Sequence, residues 1–239
     1  MVKKNSKTTG IKMPQLINAA VPFEYEEAYK ALRTSFKFVA GNGKNRRIVV
    51  TSTLQGEGKS SVCVNLAISL VQTGSKVLLI DADTRNPSLH RYLRLKKNPA
   101  IGLSTLLAGD VKVGDCLLHT DYGFDVITGG PIPPNPVELI GSEAMKSLLQ
   151  VATEHYDYVI CDTPPVGVVT DAAELSHLCD GVLYVIKQKY ANKNQVHSAL
   201  QNLKRLDAKI LGTVLNQYDI SRDAEKGYGY YRSYGYGAE

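Results

Sequence analysis

Cysteine is scarce in this chain of 239 residues. There are four, at positions 63, 116, 161 and 179, and no two stand at a Cys-x-x-Cys or other metal-ligand spacing. That excludes an iron–sulfur carrier and argues for thiols in a reducing cytoplasm. Cys63 and Cys161 lie in apolar helix and strand patterns and are expected to be buried. Long apolar runs are missing too. No stretch approaches the roughly 20 residues of a membrane span. The opening Met1-Val-Lys-Lys-Asn-Ser-Lys7 is not followed by an apolar signal region. A soluble cytoplasmic protein is expected, with any membrane role exerted through a partner. An excess of one charge is also lacking. A formal net charge of +5 is too mild to argue for nucleic acid, although it permits attraction to an anionic surface or an acidic partner.

What is present is ordinary globular composition, 44% hydrophobic and 21% charged, enough for one α/β domain with a large core. The chain is organised around Ile48-Val-Val-Thr-Ser-Thr-Leu-Gln-Gly-Glu-Gly-Lys-Ser-Ser61. A β-branched run enters a glycine-rich turn, and a helical apolar pattern starts at once after it. Such a junction cradles phosphate, because loop N–H groups and the helix N-terminus face the anion. Gly56, Glu57, Gly58, Lys59, Ser60 and Ser61 form the cradle, with Lys59 for the β/γ-phosphates and the Ser60 hydroxyl for Mg²⁺. The pattern departs from the general motif at Thr53, where glycine is usual.

Two further short apolar runs end in acids. Lys76-Val-Leu-Leu-Ile-Asp-Ala-Asp83 places Asp81 and Asp83 two apart, on one side of an extended segment, where they can orient Mg²⁺ and accept a proton. Tyr156-Asp-Tyr-Val-Ile-Cys-Asp162 delivers Asp162 in the same way, as the carboxylate that holds Mg²⁺ directly or through its water.

The remaining pattern predicts helices over 23–40, 59–72, 142–155 (with Ser142 as N-cap), 171–178 and 192–206. Strands are predicted over 47–53, 76–81, 124–128, 156–162, 180–187 and 209–215. Residues 88–122 read as a helical excursion with loops, and Gly129 to Pro136 as a rigid connection. The alternation gives a mainly parallel sheet of about seven strands covered by helices on both faces. Asn216, beyond the last strand, is either an adenine-reading amide or a turn asparagine. In the first helix Ala28, Leu32, Phe36 and Val39 form an apolar face, while Glu27, Lys30, Arg33 and Lys37 form a charged one. The charged face is either solvated or a subunit contact.

Residues 1–22 read as a flexible arm, 23–218 as the folded domain, and 219–239 as a flexible tail. In the tail, Tyr228, Tyr230, Tyr231, Tyr234 and Tyr236 alternate with glycine and no aliphatic side chain follows Gly227 except Ala238. A leash of this kind spans roughly 20–25 Å on average and reaches a neighbouring subunit. Arg232 is the sole basic residue after Lys226, so a nucleic-acid stacking role is poorly supported. Five hydroxyls on a protein with an ATP site point to tyrosine phosphorylation.

These stretches together resemble the bacterial tyrosine kinases of capsule and exopolysaccharide systems. Those are P-loop NTPases of a deviant Walker type, related to the partitioning and septum-site ATPases. The resemblance covers nearly the whole chain. It rests on Gly56-Glu-Gly-Lys-Ser60, Leu78-Leu-Ile-Asp81-Ala-Asp83-Thr-Arg85, Val159-Ile-Cys-Asp162-Thr-Pro-Pro165, Pro133-Pro-Asn-Pro136 and the tyrosine tail. It implies ATP and Mg²⁺ as cofactors, with Ser60, Asp81 and Asp162 around the metal and Lys59, Asp81, Asp83 and Asp162 as the catalytic set. It further implies phosphorylation of the tail in trans and a ring-shaped homo-oligomer joined through Glu27, Lys30 and Arg33. In the family motif the position of Lys30 is an arginine, which has the bidentate fork that lysine lacks. The implied partners are a membrane activator of the chain-length-regulator type and a cognate phosphotyrosine phosphatase, and no nucleic acid. The rival reading is a positioning ATPase switch. Those relatives carry a lysine early in the loop, where this chain has Leu54.

Overall fold

The computed structural model describes residues 15–17, 21–39, 46–95 and 99–219. The expected arm up to residue 14 and the tyrosine tail from residue 220 lie outside them. Seven strands form one sheet: β1 (Arg46–Ser52), β2 (Val77–Asp81), β3 (Leu117–His119), β4 (Asp125–Ile127), β5 (Tyr158–Asp162), β6 (Gly181–Lys187) and β7 (Ile210–Asn216). Their order is β3-β4-β2-β5-β1-β6-β7. All neighbours are parallel except β3, which runs antiparallel to β4. Six strands agree with the sequence patterns. The seventh, β3, lay inside the helical excursion, since three residues on a sheet edge are too few to set an alternation.

The helices are α1 (Phe23–Val39), α2 (Lys59–Val71), α3 (Leu89–Tyr92), α4 (Leu103–Leu107), α5 (Val113–Cys116), α6 (Pro136–Ile140), α7 (Glu143–His155), α8 (Asp171–Ser176) and α9 (Lys193–Arg205). They divide between the two faces of the sheet. On one, Phe36 of α1 and Val62, Leu66 and Leu70 of α2 pack on Ile48, Val50, Leu79 and Ile160. On the other, Met145 and Leu149 of α7, Leu175 of α8 and Leu203 of α9 pack on Val49, Leu78, Ile80 and Val159. Successive residues of each central strand therefore serve opposite cores. This is why those strands read as unbroken apolar runs. Each fully buried Leu or Ile contributes about 1.5–3 kcal/mol through removal from water.

The expected apolar face of α1 needs correction. Ala28 and Val39 are exposed, whereas Tyr29 and Phe36 are buried, with Tyr25 and Leu32 packed beside them. Two aromatic rings outweigh an alanine, so the helix turns its Tyr25-Tyr29-Leu32-Phe36 stripe inward. The arm is corrected as well. Leu16 and Ile17 are buried, the Ile17 N–H donates to Asn65 Oδ1 at 2.8 Å, and Asn65 Nδ2 donates to the Gln15 carbonyl at 3.0 Å. Asn65 is a fully buried amide in the middle of α2, and this short docked segment satisfies it.

Capping matches the sequence closely. Ser142 accepts from the Met145 N–H at 3.2 Å at the start of α7, and Asn192 accepts from the Gln195 N–H at 2.9 Å at the start of α9. Replacing Ser142 by alanine is expected to lower unfolding stability by about 1 kcal/mol. Chemical denaturation checks this; the midpoint falls and the slope stays unchanged.

Candidate nucleotide and phosphoryl-transfer site

Three parallel strands, β1, β2 and β5, end at the same edge of the sheet. Their register aligns Val50 with Asp162 and Asp162 with Asp81. Two carboxylates from adjacent strands therefore meet beside the loop that follows β1. Both are buried, Asp81 at 0% and Asp162 at 1% exposure. Asp81 Oδ2 accepts from the Ser88 and Leu89 N–H groups at 2.9 and 3.0 Å. Asp162 Oδ2 accepts from the Ser60 hydroxyl at 2.5 Å. The second oxygen of each, Oδ1, has no partner, and neither has the buried hydroxyl of Thr84.

Burial pushes both acids up, and their mutual repulsion raises Asp81 further. Asp162 is raised to about 6, with Lys59 and the Ser60 hydroxyl opposing the shift. Asp83, half-buried on the turn after β2, is raised by burial, and the Asn86 N–H and Lys59 oppose this. Asp83 accepts from Asn86 N at 3.0 Å and adds to the repulsion felt by the other two acids. Lys59 is itself nearly buried.

Open oxygens on two adjacent buried carboxylates suit a divalent cation, which would neutralise the repulsion. Mg²⁺ takes one or two protein carboxylates and fills its remaining positions with phosphate and water. Ser60, Asp81 and Asp162 would hold it.

The loop is shaped by glycine at two places. Gly56 and Gly58 adopt φ of 86° and 91°, the left-handed region where a side chain is strained. Gly58 then caps α2, so the first N–H groups of that helix open toward the loop. Glu57 is fully buried and braces the loop from within. Its Oε2 accepts from the Leu54 N–H at 2.6 Å and its Oε1 from the Lys187 N–H of β6 at 3.3 Å. Thr53, at the position where the motif departs from glycine, shares a hydrogen bond of 2.8 Å with the Tyr184 hydroxyl. Ser61 follows in the first turn of α2.

Asn216 proves to be the last residue of β7. Its Nδ2 donates to the Glu57 carbonyl at 2.8 Å, and a Cβ at Gly58 would lie 2.0 Å from that nitrogen. The amide therefore holds the loop from outside, with one N–H left over for a ligand. Nearby, Tyr190 donates to the Gln55 carbonyl at 3.0 Å. Tyr190 was not legible as part of the site, because a tyrosine in a turn carries no motif of its own. Arg85 ends the acidic motif, and its pairing with Asp171, Nε to Oδ1 at 3.0 Å, is what the sequence pattern did not indicate.

The chain matches the AAA domain family over residues 45–217. It is 38% identical over 206 residues to the tyrosine-protein kinase YwqD of Bacillus subtilis (strain 168), covering 86% of this chain and 85% of that protein. The kinase domain of the Escherichia coli tyrosine kinase ETK superposes with a TM-score of 0.76 at 34% identity, covering 84% of this chain and 82% of that one. The chain belongs to the bacterial tyrosine kinases.

The relation to positioning ATPases is also present. The septum-site-determining protein MinD of Pyrococcus horikoshii OT3, solved with Mg-ADP, gives a TM-score of 0.62 at 27% identity over 74% of this chain and 72% of that one. The tyrosine-kinase fold thus places Lys59, Ser60, Asp81, Asp83 and Asp162 together. Glu27, Lys30 and Arg33 lie apart from them, on α1. Lys30 pairs with Glu26 and Glu27 at 3.1 and 2.8 Å, and Arg33 Nη1 donates to the Ser69 carbonyl and hydroxyl of α2.

The raised carboxylate of Asp162 makes a signed prediction. A carboxyl that binds its proton more tightly when folded stabilises the fold below the unfolded value near 3.8. It loses that contribution as pH rises through about 6. In metal- and nucleotide-free protein, Asp162→Asn is expected to be more stable than wild type at pH 7.5 by up to about 3 kcal/mol. The difference should shrink toward pH 4. Thermal melts across pH measure it, and a pH-independent difference would remove the buried carboxylate as its cause.

Proposed function

We propose that the protein transfers the γ-phosphoryl group of ATP to tyrosine hydroxyls of its own C-terminal segment, in trans between copies. The observation that carries this reading is the pair of buried carboxylates, Asp81 and Asp162, with open oxygens beside Ser60 and Lys59. Phosphoryl transfer asks mainly for positioning and charge stabilisation. Lys59 and the loop N–H groups hold the phosphates. Mg²⁺, held by Ser60, Asp81 and Asp162, would supply charge neutralisation to the phosphates. Asp83, half-buried and raised by burial, would take up the tyrosine proton. The acceptors are Tyr228, Tyr230, Tyr231, Tyr234 and Tyr236, all outside the described residues.

The wider role follows from the same resemblance. The kinase regulates capsule or exopolysaccharide synthesis or chain length. It works at the inner face of the plasma membrane, recruited and activated by the cytoplasmic tail of a chain-length-regulator-type protein and reset by a phosphotyrosine phosphatase. No helix among the described residues is long and apolar enough to cross a membrane. Copies assemble through Glu27, Lys30 and Arg33. Arg33 uses one guanidinium nitrogen on Ser69, which leaves other donors available to a neighbouring copy. Asn216 reads the adenine edge with its remaining N–H.

Incubation with MgATP, with and without an activator's cytoplasmic segment, is expected to add a ladder of phosphates to the tail, read by intact mass. Lys59→Met should abolish the ladder while leaving the melting profile cooperative. ATP hydrolysis with no protein-bound phosphate would favour a positioning switch instead.

A further inference from the structure

Tyr190 lies on the turn that follows β6, 47% exposed. Lys189 before it takes φ of 56°, in the left-handed region, and the turn carries Tyr190 over the outer side of the phosphate loop. Its hydroxyl donates to the Gln55 carbonyl at 3.0 Å. A Cβ built on Gly56 would lie 3.1 Å from that same oxygen. The Lys187 ammonium sits over the ring, 4.7 Å from its centroid. Tyr190 is thus an accessible phenol in direct contact with the loop that must receive the ATP phosphates.

We propose that Tyr190 is itself a phosphorylation site, and that a phosphate there closes the nucleotide site. The proposal rests on the kinase reading and extends it to a residue outside the tail. The donor is MgATP held by another copy. The Tyr190 Oη–phosphorus bond forms as the bond from the γ-phosphorus to the β–γ bridging oxygen breaks. ADP leaves with that electron pair, and the phenolic proton passes to a carboxylate of the donor's site. Two consequences follow at the acceptor. The hydrogen bond to Gln55 is lost, because the esterified oxygen no longer has a proton to give. About −1.5 to −2 charges then stand beside Gly56, where they repel the incoming nucleotide phosphates. Lys187, above the ring, is close enough to hold the new phosphate in that position.

The test uses the full chain, incubated with MgATP and mapped by peptide mass spectrometry. Phosphate on Tyr190 together with the tail supports the proposal. Phosphate on the tail alone overturns it and leaves the kinase reading standing. No phosphate on any tyrosine, with or without the activator segment, overturns both. Affinity for a fluorescent ATP analogue is then compared before and after phosphorylation. Wild type is expected to weaken about tenfold in proportion to Tyr190 occupancy and to recover after phosphatase treatment. Tyr190→Phe lacks the Gln55 hydrogen bond and so has its own starting affinity. It is compared with itself before and after its tail is phosphorylated by wild-type protein, and should show no further change. An equal loss in that variant would assign the effect to the tail and overturn the closing role.

Discussion

Two carboxylates forced together out of water set the terms for this structure. Asp81 and Asp162 stand on neighbouring parallel strands in register, both buried, each with one open oxygen. Such a pair opposes folding, because burial penalises the charged form and each acid repels the other. The rest of the fold has to hold them there. Two hydrophobic cores, one on each face of the central strands, provide the opposing free energy. The backbone N–H groups of Ser88 and Leu89 and the hydroxyl of Ser60 fix the orientation. A divalent cation bound between the two acids would relieve that repulsion.

The phosphate loop shows the same division of labour. Its glycines permit the left-handed turns, but they do not by themselves hold one conformation. Rigidity comes from residues distant in sequence: Glu57 reaching Lys187 of β6, Tyr184 on Thr53, Asn216 on the Glu57 carbonyl and Tyr190 on Gln55. A loop fixed from several sides presents its N–H groups without reorganisation when phosphate arrives. It also becomes sensitive to change at any brace. That is the physical ground for an exposed brace such as Tyr190 to act as a point of control.

The first helix illustrates how a surface can serve two purposes. Its aromatic stripe anchors it to α2, and its charged face is left with partners of its own. In a single copy Arg33 is drawn back to Ser69. A carboxylate of a second copy docking on this face would compete for the same guanidinium, which would tie any assembly there to the packing of α1 on α2.

The sequence by itself determined the α/β class, six of the seven strands, the Ser142 cap, and the identity of Lys59, Ser60, Asp81, Asp83 and Asp162 as one chemical set. These are local signals: apolar runs, glycine at a strand–helix junction, acids at strand ends. Tertiary structure alone decided which oxygens stay open, that Glu57 turns inward, that Asn216 and Tyr190 grip the loop, and that Gln15 to Ile17 dock on Asn65. It also turned the inward stripe of α1 to Tyr25, Tyr29, Leu32 and Phe36, and placed β3 on the sheet edge. The physical reason is common to all of these. Each depends on a partner far away along the chain, and periodicity reports only on neighbours one or two turns apart.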